Sequence, residues 1–297
     1  MPNHEPEYRC QKDGFILVAV LWILAALATL ASVYAIYIAN TAAAARLYDD
    51  RLQVRTLIIS GVELTAYRLL GLDDAHRPSS GAFGVQIGHS RVDVAFQSEG
   101  ARIDLNLAPK ELLSGLFKVL GAAPEDADAH AEHVIGWRTK PPPGGQNAEA
   151  EAYKSEGLTY GPRQAPFQSA AELRLVRGLP SELVDAALPF VTVFNGRAEI
   201  DVNEAPAQVI AALPQISPSA VSEILKERDP RNPQIALRLA GAARGVTTGG
   251  RRTTRAHVRV ALETGRMVNA DVVLLIIDTG PDPYRILAWH DDFDGPI

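Results

Sequence analysis

Hydrophobic and polar positions divide the chain into four unlike stretches. The first is an unbroken apolar run, Phe15–Ala39, with no charged side chain from Phe15 to Ala45. A helix of about 20 apolar residues crosses a hydrocarbon layer roughly 30 Å thick, so this run predicts a membrane span. From Arg46 to Leu70 the pattern becomes amphipathic. Leu47, Val54, Ile58, Val62 and Leu69 recur at helical spacing among Arg, Asp and Glu, with no proline between Pro6 and Pro78. The two stretches predict one helix from Phe15 to about Leu70, apolar all round in its first half and one-sided in its second.

The polar, Gly-, Pro- and Ser-rich segment 71–84 predicts a loop. Phe83–Ile87 and Arg91–Gln97 then predict a strand pair turning at Gly88-His89-Ser90; in the second, Val92, Val94 and Phe96 alternate with polar residues. The third stretch is helical. Lys110–Leu120, Glu125–Trp137, Ser169–Arg177, Ser181–Leu188 and Ser217–Leu225 have helical character, joined by Pro- and Gly-rich loops. The fourth is strand-like: residues 255–263 alternate, Met267–Ile277 is mostly apolar, and Tyr284–His290 follows a Gly-Pro-Asp-Pro turn.

An internal near-repeat marks the helical stretch. Ala101-Arg-Ile-Asp-Leu-Asn-Leu-Ala-Pro109 recurs as Ala198-Glu-Ile-Asp-Val-Asn-Glu-Ala-Pro206, 97 residues later. Asn106 and Asn203, or the residues after them, are expected to cap helix amides, with Pro109 and Pro206 in the first turn. The segments Leu173–Pro180 and Ala211–Ile216 each lead into a further helix, like a helix-hairpin-helix. Such turns often hold nucleic-acid phosphates, but Glu182, Asp185 and Glu223 flank them alongside Arg177, so no basic funnel forms. They are expected to pack against protein.

Net charge is −6, which counts against nucleic-acid binding. The one cysteine, Cys10, precedes the apolar run. Positive charges lie on both sides of that run (Arg9 and Lys12 before, Arg46, Arg51 and Arg55 after), so charge bias does not orient the span. Arg244, Arg251, Arg252, Arg255 and Arg259 form a local basic cluster, expected on a solvated hairpin face. Histidines 76, 89, 130, 133, 257 and 290 show no metal-ligand spacing with carboxylates; His130 and His133, near Asp126, Asp128 and Glu132, read as a solvated helix face. No phosphate-cradling loop or nucleophile elbow occurs, and no enzyme activity is expected.

A secretory signal has an apolar core of only about 7–15 residues, shorter than this one. The join Lys12-Asp13-Gly14-Phe15 resembles a type IV prepilin leader, a short polar segment ending in Gly before an aromatic residue and the apolar run. The fifth residue after Gly14 is Ala19, where most pilin-like subunits carry Glu. A carboxylate in lipid needs a cationic partner, and its loss suits a subunit at a filament end. The whole chain resembles the general secretion pathway protein K family, the large minor pseudopilin of type II secretion systems. Gly14–Leu27, Ile103–Pro109, Tyr160-Gly-Pro-Arg163, Phe167–Gly178, Ile200–Pro206 and the absent Glu at Ala19 carry the resemblance.

The resemblance implies cleavage between Gly14 and Phe15 by a prepilin peptidase, N-methylation of Phe15, and no catalysis. It also implies a place at the pseudopilus tip with two other minor pseudopilins, next to the major pseudopilin and the inner-membrane assembly platform. The globular part would then lie in the periplasm. The expected fold is α+β: a pilin-like long N-terminal helix on an antiparallel sheet, with a large inserted all-α domain. Expected bounds are leader 1–14, transmembrane half 15–39, remaining helix and first strands 40–100, inserted domain 101–235, and C-terminal sheet 236–297. A calcium-binding loop is common in the family. Here Arg138, Thr139, Lys140 and Pro141 stand where its acidic ligands would be, which leaves Glu149 and Glu151 as calcium candidates, and no cofactor is expected. Two rival readings are a membrane-anchored DNA-binding component of an uptake pilus, suggested by the helical hairpins, and an anchored periplasmic metal enzyme.

Overall fold

The computed structural model describes residues 13–72, 77–142, 148–229, 232–248, 252–277 and 281–293. Residues 1–13 of the expected leader therefore lie almost wholly outside the described residues. The chain forms two compact units, residues 1–56 and 57–297. Helix α1 (Asp13–Leu70) runs through both without a break. In the first unit the apolar stretch up to residue 42 is largely exposed, with Trp22 at 74% and Tyr37 at 66%.

In the second unit the same helix buries a stripe. Leu57, Ile58, Val62, Thr65, Ala66 and Leu69 are all nearly or fully buried, at the three- and four-residue spacing of one helix face. Thr65 spends its hydroxyl on the carbonyl of Gly61 (2.8 Å), so a polar residue sits in the stripe without an orphan group. The helix end is closed by Arg77. That side chain is 1% exposed, and its Nε donates to the carbonyl of Leu69 (2.9 Å), one of the carbonyls a helix C-terminus leaves unpaired.

The stripe covers a five-stranded antiparallel sheet. Strands β1 (Ser80–Ile87) and β2 (Ser90–Ser98) form the expected hairpin, although β1 begins inside the segment read as loop. Its small residues hid the strand's start: Gly81 and Gly84 lie against the Phe96 and Asp93 side chains of β2, where a Cβ would collide. Gly61 allows the helix to approach closely, since a Cβ there would be 3.1 Å from Val94 and from Val258.

The helical block follows. It comprises β3 (Ile103–Asp104), α2 (Lys110–Val119), α3 (Pro124–Arg138), α4 (Ala148–Ser155), α5 (Ser181–Ala187), β4 (Val191–Thr192), β5 (Ile200–Asp201), α6 (Ala207–Ala211), α7 (Pro218–Glu227), α8 (Gln234–Ala240) and β6 (Val246–Thr247). The segment 169–177, read as helix, is a 3₁₀ turn, Ala170–Leu175, opened by Ser169 accepting from Ala171 N. Strand β6 pairs with β5, so the block reaches Thr247 rather than ending at 235. The sheet then resumes with β7 (Thr253–Ala261), β8 (Met267–Ile276) and β9 (Tyr284–Asp291), in the order β1-β2-β7-β8-β9. Strand β7 pairs directly with β2, Val94 opposite Val258. Two neighbouring strands thus flank the block, which makes it an insertion in an α+β fold.

Candidate functional site

The N-terminal helix contains one stretch long and apolar enough to span a bilayer, by length and composition, within 16–70. Gly14 and Phe15 lie in its first turn and Ala19 one turn further. The expected cleavage point therefore sits where the described helix begins.

The near-repeat builds the insertion twice. Each copy forms a two-residue strand that pairs in parallel with a later one: Ile103 with Val191, and Ile200 with Val246. Each Asp folds back on its own turn, Asp104 Oδ1 accepting from Asn106 N (2.8 Å) and Asp201 Oδ1 from Asn203 N (3.0 Å). The next helix starts after Pro109 or Pro206 without a side-chain cap. An arginine closes each unit: Arg138 at the end of α3 donates to the carbonyls of Leu105 and Ala108 (2.8 Å to Ala108), and Arg228 after α7 donates to that of Ala205 (2.8 Å). Burial lowers the Arg138 pKa, partly offset by Asp104.

Asn106 and Asn203 do not cap the helices as expected. The helices start only after Pro109 and Pro206, three residues further on, and each Asn side chain turns to a distant partner instead. Asn106 grips Phe167 from both sides, accepting from its N (2.7 Å) and donating to its carbonyl (3.0 Å). Asn203 donates to the carbonyl of Pro233 (3.4 Å).

Three of the stretches that carry the resemblance, 103–109, 160–163 and 167–178, meet in the first unit. Glu172 accepts from Arg163 Nη1 (3.2 Å), Gln168 N (3.1 Å) and Trp137 Nε1 (3.4 Å). Tyr153, fully buried, donates its hydroxyl towards Leu175 and accepts from Arg177 N (2.9 Å); burial pushes its pKa up to about 12. The two hairpin turns pack inward, with Leu173, Val184, Leu213 and Ile224 in one apolar cluster.

Helix α4, absent from the sequence reading, carries both calcium candidates. Glu149 receives Arg177 through Nε (2.8 Å) and Nη2 (3.3 Å), while Arg177 Nη1 reaches Glu156 (2.8 Å). Glu151 pairs with Lys154 (2.9 Å). Both carboxylates face cations of the chain itself, and among the described residues no three His, Asp or Glu side chains already surround a common metal position. His130 and His133 are half-buried rather than on a solvated face. Their Nδ1 atoms have no partner, and burial lowers both pKa values.

The junction of sheet and insertion rests on Glu99. Its side chain is 1% exposed and receives Arg255 Nε (2.6 Å) from β7, the Thr192 hydroxyl from β4, and Arg102 at 3.8 Å. A second tie links the Ser79 hydroxyl to Glu204 in the second repeat. Of the basic cluster, Arg244, Arg252 and Arg259 are exposed as expected, while Arg255 turns inward to Glu99. Arg251 lies outside the described residues.

A long helix whose second half lays a stripe on an antiparallel sheet, with a helical domain inserted between adjacent strands, is a pilin-like α+β arrangement with a helical insertion. Residues 96–196 match the family model described as type II secretion system (T2SS), protein K. That span takes in the first repeat unit from the end of β2 to the turn after β4. The type II secretion system protein K of Pseudomonas aeruginosa PAO1 is 30% identical over 115 residues, 38% of this chain and 34% of that protein. The chain thus spans about a third of the length of the curated relative it matches. The fold is similar to a chain in the crystal structure of the GspK-GspI-GspJ complex from the enterotoxigenic Escherichia coli type 2 secretion system. The TM-score is 0.61 at 15% identity, over 83% of this chain and 98% of that one. The resemblance to the protein K family is borne out in sequence, and the pilin-like α+β fold with its helical insertion in structure.

Proposed function

We propose that this chain is a minor pseudopilin of a type II secretion system, placed at the pseudopilus tip, where it starts or caps the filament that drives protein export across the outer membrane. The observation that carries the reading is the match of residues 96–196 to the protein K model inside a helix-and-sheet frame similar to a chain of the GspK-GspI-GspJ complex. Its partners are two further minor pseudopilins, with the major pseudopilin below. Prepilin peptidase cuts after Gly14, Phe15 is methylated, and the apolar helix anchors the chain in the inner membrane with the sheet and insertion in the periplasm. Ala19 supports the end position, because it offers no carboxylate to pair with another subunit's amine. The role is architectural and needs no cofactor.

The DNA-binding alternative draws no support from the hairpins. Arg177, the cation beside one turn, is engaged by Glu149 and Glu156.

The test is co-purification from detergent-solubilised membranes with the minor pseudopilins of the same host, together with a deletion strain assayed for secretion. A stable complex with them, and loss of export on deletion, are expected. Normal export without the chain, or no association with either subunit, would contradict the reading.

A further inference from the structure

The two edges of the five-stranded sheet are built differently. Strand β9, at one edge, carries Arg285, His290 and Asp291, all exposed, and its pairing with β8 is irregular at Val273 and Leu274. Charges and bulges of this kind keep a free edge from pairing with other chains. Strand β1, at the other edge, has neither. Its residues Ser80–Ile87 include no charge and no proline, and they pair with β2 without a slip.

The hairpin fixes which backbone groups β1 leaves free. Its loop is Gly88 and His89 alone, so Ile87 and Ser90 close it as a hydrogen-bonded pair. Bonded pairs then alternate back along the strand, at Val85, Phe83 and Gly81. The N–H and carbonyl groups of Ser80, Ala82, Gly84 and Gln86 therefore point away from β2. All four residues are exposed, and among the described residues nothing bonds to those groups.

We propose that β1 accepts an extended segment of another protein as a further strand of this sheet. The segment is about eight residues long, uncharged, with apolar side chains at alternate positions. A row of outward amides and carbonyls is satisfied in full only by another strand. Phe83, Val85 and Ile87 lie half-buried along the same edge, on the side where Arg68 of α1 covers the Phe83 ring at 4.0 Å. Apolar side chains of an added strand would complete their burial. The nearest charges, Arg91 and Asp93, already pair with each other (3.0 Å), so the edge asks for no countercharge. A second copy fits poorly. Two β1 edges paired antiparallel are related by a twofold axis perpendicular to the sheet. That axis reverses the second α1, whereas chains anchored as proposed above run their helices the same way.

The test is fluorescence anisotropy of the full chain in detergent with a labelled, end-capped peptide of alternating valine and threonine, carrying a polyethylene glycol tail for solubility. Saturable binding is expected, with slowed hydrogen exchange in the fragment that contains β1. Ala82→Pro removes one outward N–H and leaves the bonds to β2 in place, a position at which edge strands tolerate proline. It should weaken binding roughly tenfold or more, while Ala82→Ser should bind within about twofold of the parent. Thermal unfolding checks that each variant folds. No saturable binding by the folded parent, binding without slowed exchange in β1, or equal binding by folded Ala82→Pro would overturn the proposal. A dimer of the parent alone that Ala82→Pro splits would also overturn it, with a second copy as the occupant.

Discussion

Gly115 in α2 lies against the backbone of Ala212, the residue that caps the end of α6. A methyl on Gly115 would sit 2.9 Å from the Ala212 carbonyl carbon and 3.2 Å from its Cα. The two units of the duplicated insertion thus meet backbone to backbone, where no side chain can give way. Gly115→Ala therefore destabilises the chain by about 1–3 kcal/mol through overpacking, against the gain of roughly 1 kcal/mol that Ala brings to a free helix position. Urea unfolding measures it. Gly161, with open space around its Cβ position, is the control, and Gly161→Ala should leave the midpoint nearly unchanged.

Glu99 holds the insertion to the sheet. Breaking a buried ion pair strands the remaining charge and costs about 3–5 kcal/mol. Arg255 retains 20% exposure, so the lower end applies: Glu99→Ala should cost about 3 kcal/mol. A double-mutant cycle with Arg255→Ala tests the pairing. Additive losses would show that the two residues act separately.

The repeat predicts unequal costs at equivalent residues. Asn106→Ala removes two good hydrogen bonds to Phe167 and leaves buried backbone groups unpaired, a loss of about 2–3 kcal/mol. Asn203→Ala removes one long bond, and its Oδ1 is already buried without a partner. It should cost about 1 kcal/mol or less. Thermal unfolding of the two variants gives the comparison, and equal losses would contradict the geometry.

The half-buried histidines set a pH dependence. Burial lowers the folded pKa of His130 and His133 below 6.5. The unfolded chain then binds protons that the folded one refuses, so stability falls as pH drops. Their contribution is fully present above pH 6.5 and is lost as pH falls from there through the lowered folded values. A His130→Gln, His133→Gln double variant should show a flatter stability profile over that window. The parent and variant curves should run parallel at lower pH, where carboxylates such as Asp128, held low by Lys118, dominate.

Much of the fold was legible because periodicity reports burial directly. The α1 stripe and the alternation in β2 and β7 follow from single faces packed on one core. The repeat 101–109 and 198–206 was visible as text, but its mechanics were not. The partners of Asn106 and Asn203, Phe167 and Pro233, lie 61 and 30 residues away, which the local pattern cannot show. Only the start of strand β1, residues 80–82, was hidden, because Gly81 is the small residue that Phe96 leaves room for. Helix α4 was missed because, at eight residues with Tyr153 its one buried side chain, it shows no apolar period, and its Glu149 is held by Arg177, 28 residues away.

The measurement that tests the account most directly is the mass and N-terminal sequence of the chain isolated from membranes with an intact prepilin peptidase. The account predicts a chain that starts at N-methylated Phe15. A chain that still starts at Met1 would contradict it, and would leave an ordinary anchored protein with a pilin-like fold.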